Sequence, residues 1–300
     1  MKSFAALTAL AAVVVAQSNP LIPSGISSGC SSFMSTLDDD STLASCLSTL
    51  VGATKQFGPA ANATGTQSAA TIATALGSLC ASTTCSESAI RGQLASFYSA
   101  CTAELVTSPN ADVLAQYDTL YTLVPLKGAL CAQESGAYCV NSLVKSTNAR
   151  RSLDTRSVAG VLYVPAAHHK RADDTQVVLK PNVTTYRAEN IAFLTLQPTT
   201  AAATLCSNCA RDVMESYIDF MNLVPYAPGI KSSPILGGQP DLYQAQVNTC
   251  PSDFFSSSTV QNAGGGLAGG LTGSTDGAAR SMATAAGALA GMLGAAFIAL

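Results

Sequence analysis

Tryptophan is absent from this chain of 300 residues, and aromatic side chains are only 6% of it. Sugar-binding platforms lean on exposed aromatic faces, so a lectin has little to build on here. Histidine is nearly absent too: His168 and His169 stand side by side in one basic stretch and nowhere else. A serine nucleophile would have to draw its histidine base from that one stretch. Charge is sparse at 11%. The Asp and Glu residues are scattered, and none form a pair that would serve as glycosidase acid and base.

Apolar runs occur at the two ends. Met1-Lys2-Ser3 precedes small and apolar residues from Phe4 to Ala16, the n-region and h-region of a secretory signal peptide. Val14 and Ala16 fit the −3 and −1 pockets of signal peptidase, which places cleavage after Ala16. The segment is shorter than the roughly 20 residues a bilayer span requires. At the other end, 257–277 is rich in Gly, Ser, Thr and Ala, a stalk composition that buries no core. An apolar tail, Ala285 to Leu300, follows with no basic residue behind it. Small residues, a spacer and a terminal apolar tail form a glycosylphosphatidylinositol (GPI) attachment signal. Asp276 is the first candidate for the attachment residue and Ser274 the second; 278–300 would be removed. A true transmembrane helix would be richer in Leu and carry a Lys/Arg flank.

All ten cysteines lie between these ends: Cys30, Cys46, Cys80, Cys85, Cys101, Cys131, Cys139, Cys206, Cys209 and Cys250. An even count in an exported chain implies a disulfide framework, although ten cysteines permit about 945 pairings. Asn62-Ala63-Thr64 and Asn182-Val183-Thr184 are glycosylation sequons. Without Lys2 and Arg280, 13 basic residues face 18 acidic ones, a net charge of −5. That balance disfavours nucleic acid as a partner.

Hydrophobic periodicity marks helices through 17–144. Leu43, Cys46, Leu47 and Leu50 share one face, and so do Ile72, Leu76, Leu79 and Cys80. Ile90, Leu94, Phe97, Cys101 and Leu105 form another stripe; Val113, Tyr117, Leu120, Tyr121 and Val124 form the next, with Pro125 expected to break it. Asp40 (or Ser41 or Thr42), Ser86 and Asn110 stand where N-caps belong. Cys46, Cys80 and Cys101 lie on the apolar stripes, placed to staple helix to helix.

Residues 145–175 read as a basic, disordered linker holding six of the 13 basic residues of the processed chain. Val158 to Val164 is a candidate strand within it. Lys170-Arg171 is a candidate kexin-type processing site, against the plain alternative of an uncut solvated loop. In 176–256, Gln176 to Leu179 and Ile191 to Leu196 fit either strands or helix ends. Cys206, Cys209, Val213, Tyr217, Phe220 and Val224 mark a helix ending at Pro225, and a short helix is expected from Asp241 to Cys250. Tyr117-x5-Leu123-Val124-Pro125 echoes Tyr217-x5-Leu223-Val224-Pro225, which suggests two related helical modules.

Motifs of chemical interest are weak. Gly25-Ile26-Ser27-Ser28-Gly29 matches GxSxG, but a nucleophile elbow needs a strand before it and a helix after it. Gly264 to Gly269 matches GxGxxG inside the stalk, with no βαβ context. Cys206-Ser207-Asn208-Cys209 is a lone CxxC; zinc would want a second pair, and structural half-cystines at a helix start suit it better. Asp38-Asp39-Asp40 lacks EF-hand spacing.

The signal peptide, cysteine-rich helices with CxxC and Leu-Val-Pro elements, stalk and anchor tail together resemble a group of secreted, GPI-anchored fungal proteins of unknown function, known from basidiomycetes. The resemblance brings no catalytic residue, cofactor or metal. The expected fold is mostly α, a disulfide-stapled helical ectodomain with a disordered linker and stalk. The expected function is that of a non-enzymatic glycoprotein on the outer face of the plasma membrane or in the cell wall. Its partners would be the membrane, through the lipid, and wall polysaccharide or surface proteins. One alternative is a carrier of a small apolar ligand (lipid, sterol or haem) between stapled helices, lined by residues such as Phe97, Tyr121 and Phe220. Another is an uncharacterised extracellular hydrolase.

Overall fold

The computed structural model describes residues 22–41, 43–45, 47–48, 69–82, 86–147, 163–165 and 179–255. It is mostly helical. Helices α1 (Ser28–Asp38), α2 (Ala69–Ala81) and α3 (Glu87–Ala100) precede a π-helical turn, Ala103–Thr107. The long helix α4 spans Ala111–Cys131, then a two-stranded hairpin, β1 (Gln133–Glu134) and β2 (Ala137–Tyr138), leads into α5 (Cys139–Thr147). Strands β3 (Tyr163–Pro165) and β4 (Leu179–Pro181) pair antiparallel, Val164 opposite Lys180. Then come α6 (Val183–Ala188), α7 (Ala202–Leu205), α8 (Asn208–Leu223) and α9 (Gln239–Thr249).

The helices start where their caps dictate. Ser86 Oγ accepts from the Ala89 N–H, and Asn110 Oδ1 accepts from the N–H groups of Asp112 and Val113. Asp40 Oδ1 accepts from Leu43 N–H at 2.9 Å, opening a helical stretch that buries Leu43 and Leu47. Each cap satisfies N–H groups that the first helical turn leaves without partners.

Helix α4 is the axis of the body. It buries residues around most of its circumference, from Val113 to Leu130, and α2, α3, α5 and α8 all pack on it. A helix buried over most of its circumference has to be covered by neighbouring helices. It also corrects one expectation: α4 runs straight through Pro125 to Cys131. The proline denies the Tyr121 carbonyl its usual N–H partner, a cost of about 3 kcal/mol in a helix interior; the burial of Leu123, Pro125, Leu126, Ala129 and Leu130 around it outweighs that. Pro225 behaves as its sequence suggests. It follows Val224, whose φ of −134° and ψ of 86° lie outside the helical region, as steric clash with a following proline ring requires.

Helices α4 and α8 pack antiparallel. Tyr121 of α4 meets Val224 at the end of α8, donating to its carbonyl at 2.6 Å, whereas Gly128 lies against Ser216, about two turns back along α8. A β-carbon at Gly128 would sit 3.0 Å from Ser216 Oγ, so a residue without one suits this crossing. The buried cluster is continuous from Cys30 to Leu242, and the described residues of 17–144 and 176–256 thus share a core.

Four disulfides brace it: Cys30–Cys101, Cys80–Cys131, Cys139–Cys209 and Cys206–Cys250. The first joins α1 to the end of α3, the second α2 to α4, the third α5 to α8, and the fourth the start of α8 to the end of α9. Cys80 and Cys101 staple helix to helix as their stripes suggested. Cys46 and Cys85, the remaining two, lie outside the described residues.

Some boundaries differ from expectation. Helix α5 continues to Thr147, inside the expected linker, while β3 overlaps the end of the candidate strand Val158 to Val164. Ile191–Phe193 is a 3-10 turn, not a strand. The β1–β2 hairpin has no periodic signal; its turn residues Ser135 and Gly136 have φ of 54° and 80°, the doubly left-handed geometry of a two-residue hairpin turn.

Candidate functional site

The most unusual polar group in the body is Asp118, fully buried on α4. Its neighbours Tyr117, Leu120 and Tyr121 belong to the stripe that faces α3 and α8, so the helix carries the carboxylate into the core with them. A buried carboxylate needs donors, and the segment after α8 supplies them. The Tyr226 hydroxyl donates to Oδ1. Ser233 Oγ donates to Oδ2 at 2.6 Å, and the Ile235 N–H donates to the same oxygen at 2.8 Å. Ser233 Oγ in turn accepts from Leu236 N–H. Behind it, Arg187 Nη1 donates to the Ser233 carbonyl at 3.1 Å. That guanidinium lies where a β-carbon on Gly237 would be, 1.7 Å away; only glycine fits under it.

Burial pushes the Asp118 carboxyl up to about 6, outweighing the donors Ser233, Tyr226 and Ile235 and the positive charge of Arg187, all of which pull it down. Burial likewise raises the Tyr226, Tyr117, Tyr121 and Tyr217 phenols. A raised carboxyl in a cleft marks catalytic acids. Here no cleft reaches it: Asp118 and Ile235 are 0% exposed, Ser233 2% and Tyr226 5%. Ser233 spends its proton on Asp118, and both histidines lie outside the described residues. Chemically the cluster is a clasp, fastening 224–238 to the central helix.

Around the clasp, aromatic rings pack edge to face. Tyr226 meets Tyr117 and Tyr121, Tyr121 meets Phe220, and Tyr117 meets Phe97, with centroids 5.0–5.4 Å apart. Phe97, Tyr121 and Phe220 are 0%, 1% and 3% exposed, and each of them faces another ring.

A second buried carboxylate, Glu104, reaches from the π-helical turn to the start of α1. Its Oε1 accepts from the Ser27 N–H at 2.5 Å, and that backbone bond is the main cause holding its pKa below the usual carboxylate value. Ser27 Oγ meanwhile accepts from Cys30 N–H. The serine of the GxSxG match is thus a helix N-cap, not a nucleophile on an elbow. Glu104, Cys30 and Cys101 bring possible ligand atoms within 4.8 Å of one another. The two sulfurs are bonded to each other, which leaves no thiolate to bind a cation.

Cys206 and Cys209 belong to different bridges, so the CxxC pair is neither a dithiol redox couple nor half a zinc site in this state. Of Asp38-Asp39-Asp40, Asp39 caps the end of α1 and Asp40 opens the next helix. Asn182 is the N-cap of α6; its Oδ1 accepts from Thr185 N–H, and Thr184 is exposed. A glycan attaches through Nδ2, which that cap leaves unused. Ala16, Asn62, Lys170, Arg171, Ser274, Asp276 and the GxGxxG match lie outside the described residues. Among the described residues no helix is long and apolar enough to cross a membrane. No protein-family model, curated protein or solved structure matches the chain.

The clasp was missed from sequence. The available signal was Asp118 itself, an acid set beside the apolar stripe of Tyr117, Leu120 and Tyr121. Its partners lie more than a hundred residues away, beyond any local pattern.

Proposed function

We propose that this chain is a non-enzymatic glycoprotein of the outer cell surface or cell wall, held to the plasma membrane by a GPI lipid and exported with a signal peptide cleaved after Ala16. The observation that carries this reading is the spending of reactive groups on structure. Eight cysteines are paired across helices, the buried carboxylate of raised pKa is a clasp, and the GxSxG serine is a cap. Four bridges suit an oxidising compartment. Glycans at Asn62 and Asn182, lipid attachment at Asp276 or Ser274, and cleavage after Arg171 complete the proposed maturation. Wall polysaccharide or another surface protein would be the partner. The body would derive from two related helical modules sharing one core, joined by a disordered linker. The pairing of the two Leu-Val-Pro helices, α4 and α8, along each other supports that descent.

The test is to treat intact cells with a phosphatidylinositol-specific phospholipase and to map disulfides in the released protein. Release into the medium with the four bridges intact is the expected result. A chain that stays in the membrane after lipase treatment and still contains Leu300, or one recovered from cytosol with reduced thiols, would overturn the reading.

A further inference from the structure

We infer that the folded body is a two-part assembly locked by the Cys139–Cys209 bridge, so that processing after Arg171 yields one disulfide-linked two-chain molecule and releases neither part. The inference builds on the proposed processing reading and concerns what holds afterwards. Arg171 divides the cysteines unevenly. Cys30–Cys101 and Cys80–Cys131 lie wholly before it and Cys206–Cys250 wholly after it. Cys46 and Cys85 both precede it, so a bond between them would not cross either. Among the bridges of the described residues, Cys139–Cys209 alone spans the division.

That bridge is sheltered, Cys139 being 0% and Cys209 3% exposed, so a thiol in solution reaches it only when the body opens. Non-covalent links cross the same division. Strand β3 pairs with β4, and residues 166–178 join those two strands, so Arg171 falls between segments already held together. Tyr121 donates to the Val224 carbonyl. The Asp118 clasp grips Tyr226, Ser233 and Ile235. Continuity of the chain between 147 and 179 therefore adds little to what holds the body. The step itself is hydrolysis by a dibasic-specific endoprotease. Water adds across the Arg171–Ala172 amide, leaving a carboxylate on Arg171 and an amine on Ala172, with every disulfide unchanged. With the lipid at the far C-terminus, residues 17–171 would stay on the surface through one sulfur–sulfur bond.

The purified full chain is digested with a kexin-type protease and run on denaturing gels with and without reductant. One species without reductant and two with it, plus a linked peptide pair containing Cys139 and Cys209, is the expected result. The Cys139→Ser/Cys209→Ser variant should give two species even without reductant. Two species from cut wild-type protein without reductant would overturn the inference, as would a single unreduced species from the cut double variant. If the native chain resists the protease, the processing reading fails. The same gels on a variant with a sequence-specific protease site inserted between 166 and 178 then decide whether the Cys139–Cys209 bridge holds the two parts.

Discussion

Two buried carboxylates do similar jobs in different surroundings, and their pKa values move in opposite directions. Glu104 ties the π-helical turn to α1 through the Ser27 N–H, which donates to its carboxylate. Asp118 ties α4 to 226–235 and receives three donors. Counting donors alone would make Asp118 the more acidic, yet Glu104 is lowered and Asp118 raised to about 6. The difference lies in depth. Glu104 belongs to a peripheral turn whose neighbours Thr102, Ala103, Val106 and Thr107 are exposed, whereas residues 117–121 are all buried. Desolvation of charge at the centre of the body exceeds what three hydrogen bonds return.

The largest test of that contrast is Asp118→Ala. It strands the Tyr226 and Ser233 hydroxyls and the Ile235 N–H in the core, each orphan costing about 1–3 kcal/mol. Urea unfolding should show a loss of about 3–5 kcal/mol; a loss under about 1 would mean that the clasp is ornamental. Next is Cys30→Ser/Cys101→Ser, which unties the segment that Glu104 caps. Closing loops of such length stabilises by about 2–4 kcal/mol, measured as a lower thermal midpoint.

The pH profile separates the two groups by sign. Asp118 binds its proton more tightly folded than unfolded, so its contribution is full below about 4 and lost as pH rises towards 6. The expected fall in stability across that window is about 3 kcal/mol. Glu104 runs the other way: its contribution is present above its ordinary value of 4.5 and is lost as pH falls through the lowered value. Urea midpoints between pH 3 and 7 should therefore lose the decline from 4 to 6 in Asp118→Asn and keep the acid-side decline. A wild-type profile flat from 4 to 6 would contradict the assignment. Smaller again is Tyr226→Phe, which removes one donor and keeps the ring contacts; about 1–2 kcal/mol is expected.

Period and capping made much of the helical body readable. Leu94 and Phe97, or Val213 and Tyr217, fall at helical spacing on faces that are buried, and Ser86 and Asn110 cap where expected. Pro125 misled because a local rule met a global one: α4 is enclosed, and packing outweighs the lost bond. The β1–β2 hairpin was invisible because two-residue strands have no period to detect. Disulfide partners were unreadable for the same reason as the clasp. Cys30 and Cys101 are 71 positions apart, and only the packing of α1 on α3 brings them together.

The finest test of the contrast is Glu104→Gln. The amide oxygen still accepts from Ser27 N–H, but the bond loses its charge, and charge-assisted bonds are roughly twice as strong as neutral ones. The site is peripheral, and Cys30–Cys101 already holds α1 against the turn, so the expected loss is under about 1 kcal/mol. In the Cys30→Ser/Cys101→Ser background the same change should cost more, because the carboxylate then holds the junction without the bridge; contacts that share a load are not additive. Equal costs in both backgrounds would show that Glu104 acts alone, and that only the deep carboxylate is part of a coupled joint.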